Sequence, residues 1–228
     1  MNILAIDTSS GWLTVACGNQ DGIKGRFSQN IGNQHAEKLA GIVEALLHDS
    51  GLKLSDINLA GVVTGPGSFT GLRVGISFVK GLAMALDIRT IGLNTLDSLA
   101  HEASGMGATM VSPMIDARKG QVYAALYNVE QGTPALISKY VAMAPSDWLN
   151  GLPKDTLVLG SGVETYRDLI HDDYKQLVIL EKNTITISPE ILYGCTLQMS
   201  DAGKSLDPEE LDAFYIRQAD AVCKPSKH

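Results

Sequence analysis

The 228-residue sequence predicts an α/β fold made of two similarly built halves. Three observations predict it. Short apolar runs alternate with segments of helical period. Each half opens on several strand-like runs before its first helix. Gly105 and Gly107 break the pattern near the middle. The expected domains are therefore residues 1–104 and 105–228.

The first half is read element by element. Ile3–Asp7 is a short apolar strand ending in an acid, followed by the turn chemistry of Thr8, Ser9, Ser10 and Gly11. Leu13–Gly18 and Gly25–Gln29 complete a three-stranded meander around the turn at Asp21-Gly22. Residues 33–50 are helical, because Leu39, Ile42, Val43, Leu46 and Leu47 follow the i, i+3, i+4, i+7, i+8 pattern. Asn33 or Gly32 starts this helix and Gly51 stops it. Leu59–Thr64 is a buried strand, a helix covers residues 72–86, and Arg89–Leu93 is a strand. Thr95 caps a helix reaching about Glu102.

The second half follows the same order. Thr109–Ile115, Gln121–Asn128 and Leu136–Val141 are expected as strands and Pro145–Leu149 as a short helix. Thr156–Gly160 is a strand, Glu164–Ile170 a helix, Leu177–Leu180 a strand and Ile187–Ser200 a helix with Pro189 in its first turn. Three antiparallel strands, helix, strand, helix, strand is the order of a ribonuclease H-like half. Two such halves give the architecture of the actin–hexokinase-like superfamily. No internal sequence repeat accompanies the duplication, so the expectation rests on element order.

Composition narrows the function classes. Hydrophobic residues make up 45 %, enough for a full core. A net charge of −7 argues against a large exposed nucleic-acid surface, which needs clustered Lys and Arg. Cys17, Cys195 and Cys223 are widely spaced and odd in number, which fits a reducing compartment and neither a disulfide frame nor a zinc knuckle. The opening residues lack a basic region and a cleavage-type end. Asp87 and Arg89 interrupt the longest apolar stretch, so no membrane span is expected and a cytoplasmic location is.

The stretch Val62–Leu86 carries the densest information. A strand runs into Gly65-Pro66-Gly67-Ser68-Phe69-Thr70-Gly71, where Ser68 and Thr70 suit a helix start. Within Leu72–Leu86 only Arg73 and Lys80 are charged. An ordinary surface helix has a polar face, so this one should be covered on two sides. Gly71 and Gly75 are four apart, and so are Ser77, Gly81 and Ala85. Glycine inside a helix costs roughly 0.5–1 kcal/mol relative to alanine, so close approach of another backbone is the motive. Such a helix is either buried within its own domain or presents a docking face to a partner. On the second reading, which the resemblance given below implies, the face comprises Gly71, Leu72, Gly75, Ile76, Phe78, Val79 and Leu82, helped by His35, Leu39 and Val43 of the preceding helix. The loop lacks the Gly-Lys-Ser/Thr ending of a P-loop and the spacing of a dinucleotide site.

No catalytic set emerges. Asp7, Thr8 and Ser9 stand where a kinase of this superfamily would face metal and phosphate, and they are kept as nucleotide-proximal candidates. The matching loop of the second half is Ile115-Asp116-Ala117-Arg118-Lys119-Gly120, where basic residues replace the small ones a phosphate needs. His35, His48, His101, His171 and His228 form no close metal pair. His35 is expected to be partly exposed in a first helical turn. No metal site and no cofactor are expected.

Three motifs then carry a family resemblance. Ile3–Ser9, the run Gly65-Pro66-Gly67-Ser68-Phe69-Thr70-Gly71-Leu72-Arg73, and Ile115–Tyr123 together resemble the TsaB (YeaZ) family. The similarity is strong over roughly residues 1–127 and thin beyond. Near the end, Leu211–Arg217 follows a family pattern except that Ala213 stands where proline is usual. The resemblance implies a non-catalytic subunit of the complex that transfers a threonylcarbamoyl group to adenosine beside the anticodon of tRNAs reading A-starting codons. Its implied partners are TsaD, the catalytic paralogue, and TsaE, an ATPase, with tRNA contacted only through the complex. A homodimer is expected when the chain is alone. The histidine pair that holds the metal in TsaD is matched by His35 and Leu39, which again implies no metal. The alternative is a stand-alone kinase-like ATPase or an M22-type metallopeptidase.

Overall fold

The protein is described by a computed structural model covering residues 1–180 and 186–217; Cys223 and His228 lie outside the described residues. The first lobe runs β1 (Asn2–Asp7), β2 (Trp12–Asn19), β3 (Gly22–Asn30), α1 (His35–Asp49), β4 (Leu59–Gly65), α2 (Phe69–Leu86), β5 (Arg89–Asn94) and α3 (Thr95–Ser104). Its sheet has the order β3-β2-β1-β4-β5, with β1 antiparallel to β2 and parallel to β4.

The second lobe contains β6 (Met110–Arg118), β7 (Gln121–Ala124), β8 (Tyr127–Glu130), β9 (Thr133–Leu136) and β10 (Val141–Met143). It continues with α4 (Pro145–Leu149), β11 (Leu157–Leu159), α5 (Ser161–Thr165), α6 (Arg167–Asp173), β12 (Val178–Ile179) and α7 (Pro189–Asp201). The path β10-β7-β6-β11-β12 repeats the strand order of the first sheet. Two ribonuclease H-like lobes are thus present. The addition is the β8–β9 hairpin, which pairs with the start of β6 while β7 pairs with its end. The expected strand over residues 121–128 is therefore two strands. The third strand of the meander is β10 rather than residues 136–141. The helix expected over residues 164–170 is two short helices, α5 and α6.

Helix ends follow local chemistry. Ser68 caps α2, its hydroxyl accepting from Gly71 N at 3.3 Å; Thr70 lies inside the first turn and is exposed. Asn94, not Thr95, caps α3 by accepting from Leu96 N at 2.8 Å. α1 begins at His35 after Gln34, without a side-chain cap. It ends in a Schellman arrangement, with Gly51 N donating to His48 O, Leu52 N donating to Leu47 O, and Gly51 at φ +69°.

α1 and α2 cover one face of the first sheet. The other face is covered by α7, from the far end of the chain, which packs on β1, β2, β3 and β5. Gly61 of β4 lies directly under Thr196 of α7, where a Cβ would clash. Ile187, Leu192 and Tyr193 share one core with the first sheet, whereas Met114, Val122, Leu149 and Val158 belong to a second. The first lobe is thus completed by residues beyond the expected boundary at 104/105.

A strap after α7 crosses both lobes. Leu206 bridges Thr90 on the β5 edge, and Arg89 pairs with Asp207 at 2.6 Å. The Lys80 ammonium donates to the carbonyls of Glu209 at 3.2 Å and Leu211 at 3.0 Å. Phe214 N donates to Thr64 O at 2.8 Å, and Arg217 reaches Gln121 of β7 at 2.9 Å. α2, at 18 residues, is long and apolar enough by length and composition to cross a bilayer, contrary to the expectation. It is instead packed along β4, with Gly71, Leu72, Gly75, Ile76, Val79 and Ala83 buried.

Candidate functional site

The cleft between the lobes is built from the ends of β1 and β4 on one side and of β6 and β11 on the other. Its inner part is a cavity of about 240 Å³ lined by Asp7, Ser9, Trp12, Thr95, Ile115, Ser161 and Ile187, among others. A wider cleft of about 1000 Å³ shares Ser9, Gly67, Ile115 and Ser161 and extends to Phe69, Arg118 and Tyr215.

Of the three candidates at the end of β1, Asp7 and Ser9 line this cavity while Thr8 is fully buried, and several of their polar atoms bond within the chain. Asp7 is 2 % exposed, and its carboxyl accepts from Ser9 N at 2.7 Å. Burial raises its pKa; the Ser9 bonds and the nearby His35 act in the opposite direction. The Thr8 hydroxyl donates to Gly71 O at 2.8 Å, and Ser9 O accepts from Ser68 N at 2.7 Å. Gly67, Gly71 and Gly75 exist for this contact. A Cβ at Gly71 would meet Thr8 O, and one at Gly75 would meet the Thr8 hydroxyl. The glycine row of α2 therefore serves close approach to the chain's own β1 turn, not to a partner helix.

Opposite this turn, residues Arg118, Lys119 and Gly120 are consecutive left-handed residues at φ 62°, 52° and 73°. Arg118 N donates to Asp116 Oδ1 at 2.9 Å, while the guanidinium points outward and is 86 % exposed. Within the inner cavity, Trp12 Nε1 and Thr95 Oγ1 are buried without a hydrogen-bond partner. These two groups, with Asp7 and Ser9, are what a small molecule in the cavity would meet. Sequence periodicity had marked neither. Among the described residues, no three His, Cys, Asp or Glu side chains converge as a metal-ligand set.

The expected docking residues divide sharply. Gly71, Leu72, Gly75, Ile76 and Val79 of α2 and His35, Leu39 and Val43 of α1 are buried inside the chain. His35 is 5 % exposed and bonds Trp12 O through Nε2 at 3.1 Å, so it is not the partly exposed residue expected. Phe78 and Leu82 are half-buried. The outward face of α2 is instead the second row of small residues, Ser77, Gly81 and Ala85, with Met84 at 60 % exposure. A Cβ at Gly81 meets nothing within 4 Å. Ala36, Ala40 and Gly41 of α1 are exposed too. An apolar period reports that a helix has two apolar faces, not which one looks inward.

Fold and cleft together define an actin–hexokinase-like, two-lobed protein whose β1 turn is closed by its own contacts. A family model described as TsaD, tRNA N6-adenosine threonylcarbamoyltransferase, matches residues 25–179. The chain is 31 % identical over 225 residues to the tRNA threonylcarbamoyladenosine biosynthesis protein TsaB of Escherichia coli, covering 95 % of each. Identity to the Bacillus subtilis protein of that name is 32 % over 175 residues, covering 75 % of this chain and 76 % of that one. YeaZ from Pseudomonas aeruginosa superposes with a TM-score of 0.82 at 27 % identity, over 94 % of this chain and 99 % of that one. The chain belongs to the TsaB family of tRNA threonylcarbamoyladenosine biosynthesis proteins.

Proposed function

We propose that this chain is a non-catalytic scaffold subunit in threonylcarbamoylation of the adenosine beside the anticodon. It would dock the catalytic paralogue TsaD and work with the ATPase TsaE, and it would form a homodimer when alone. The observation that carries this reading is the exposure of Ser77, Gly81, Met84 and Ala85 on α2, together with that of Ala36, Ala40 and Gly41 on α1, the helix in contact with it. Small residues there let a partner's helices come close, and Phe78 and Leu82 supply apolar area at its edge. Burying such side chains contributes roughly 1.5–3 kcal/mol each before the cost of association is subtracted. The internally committed Thr8 and Ser9 support a subunit that has given up phosphate chemistry. An acidic chain suits a scaffold that leaves the grip on tRNA to its partner.

Reconstitution tests the reading. TsaD and TsaE with tRNA should give full modification only when this chain is added; full modification without it overturns the proposal. Gly81→Leu and Ala40→Glu should each abolish co-elution with TsaD while circular dichroism stays unchanged. Gly75→Leu is unsuitable as a probe, because it would strike Thr8 inside the lobe.

A further inference from the structure

A second cavity, of about 270 Å³, lies outside the cleft where α3, α7 and the β8–β9 hairpin meet. Asp97, in the first turn of α3, lines it. One carboxylate oxygen, Oδ1, accepts from both Tyr127 Oη at 2.5 Å and Tyr140 Oη at 2.8 Å. Burial first, and then the Asp97 interaction, push both phenols up, so they remain donors. Among the described residues, nothing bonds the other oxygen and no cation pairs with the carboxylate. His101, one turn further along α3, is held towards its neutral form by burial, against the opposing effect of Asp97. Cys195 on α7 is pushed up to about 12 by burial and by the same carboxylate. The remaining walls include Leu93, Pro134, Leu136 and Met199.

A partly buried carboxylate with one unbonded oxygen, in a cavity lined by aromatic, apolar and a few polar side chains, offers a place for a cation. A metal ion would need donors that do not converge here. A guanidinium would want both carboxylate oxygens for its fork, and one is already shared by two phenols. A compact ammonium needs one oxygen, uses a neutral imidazole as a second acceptor, and fits beside the tyrosine side chains that line the cavity. We propose that this cavity is a binding site for a small primary ammonium ion, with Asp97 as its counter-ion and Tyr127 and Tyr140 as its wall. The site is independent of the cleft and of docking through α1 and α2.

Titration of the full chain with n-butylammonium near pH 7, followed by NMR, tests it. Saturable shifts at His101 and Tyr140 are expected, with a Kd on the order of 1 mM. Pentan-1-ol, of similar shape but neutral, should leave them unmoved. Asp97→Asn should weaken binding at least about tenfold. Should that variant fail to fold, Gln198→Trp decides. Gln198 is exposed on α7 and lines the rim, so the bulky ring should block entry without touching the tyrosine network. Equal shifts with the alcohol, no saturation, or unchanged binding in Gln198→Trp would overturn the proposal. Competition by spermidine would mark a free polyamine as the occupant. Competition only by a lysine-bearing peptide would mark a protein side chain.

Discussion

At the scale of single residues, the glycines of α2 differ in what they do, and stability measurements should separate them. Gly75 touches the Thr8 hydroxyl, so Gly75→Ala forces the turn apart and should cost about 1–3 kcal/mol. Gly81 faces open space, so Gly81→Ala should stabilise by about 0.5–1 kcal/mol. Urea denaturation of the two variants should move in opposite directions. Asp7 gives a pH-dependent counterpart. Burial raises its folded pKa above the usual carboxylate value. The folded state thus holds that proton more tightly than the unfolded chain does. Stability is lost as pH rises from the unfolded value through the folded one, and stays lost above it. Asp7→Asn keeps an acceptor for Ser9 N and removes the charge. Its unfolding midpoint should exceed that of the parent at neutral pH and converge with it in acid; parallel curves would refute this. The sequence showed Asp7 at a tight turn and glycines at helical spacing. It did not show that the two features touch each other, because that contact joins residues more than sixty positions apart.

At the scale of elements, most of the first lobe was legible. α1 and α2 announce themselves by period, and Ser68 and Gly51 by end chemistry. The second lobe was harder because its elements are short and partners decide them. Residues 121–128 look like one strand. They divide because β7 pairs with Met114–Arg118 while β8 pairs with Met110 and Val111. Residues 136–141 alternate plausibly, yet the Ser138 hydroxyl there accepts from Leu126 N at 2.8 Å and separates β9 from β10. The Lys80 ammonium on α2 is another tertiary surprise. Half-buried, it holds two strap carbonyls, so Lys80→Met should cost about 1.5–3 kcal/mol. Differential scanning calorimetry would read the loss, and an unchanged midpoint would show the strap to be passive.

At the scale of the whole molecule, two lobes are joined by elements that cross between them. α3 packs on β6 and α7 while remaining on the first sheet, and the strap runs from β5 to β7. Leu211, fully buried, anchors the strap's middle. Leu211→Ala should cost about 2–5 kcal/mol and speed hydrogen exchange in the β4–β5 region as well as locally. Exchange confined to the strap would show instead that it is peripheral. The boundary between lobes was the least legible feature, because a glycine-marked seam in sequence says nothing about a helix, α7 at Pro189–Asp201, that returns from far along the chain.

The β8–β9 hairpin sets the two lobes apart. Strand for strand, the lobes otherwise follow one plan, and the hairpin is where the second departs from the first. Pro134 and Leu136 of that hairpin, with Tyr127, close the cavity around Asp97. The departure from the shared plan is thus what closes a compartment against β5 and α3 of the first lobe, whose own sheet carries no such hairpin.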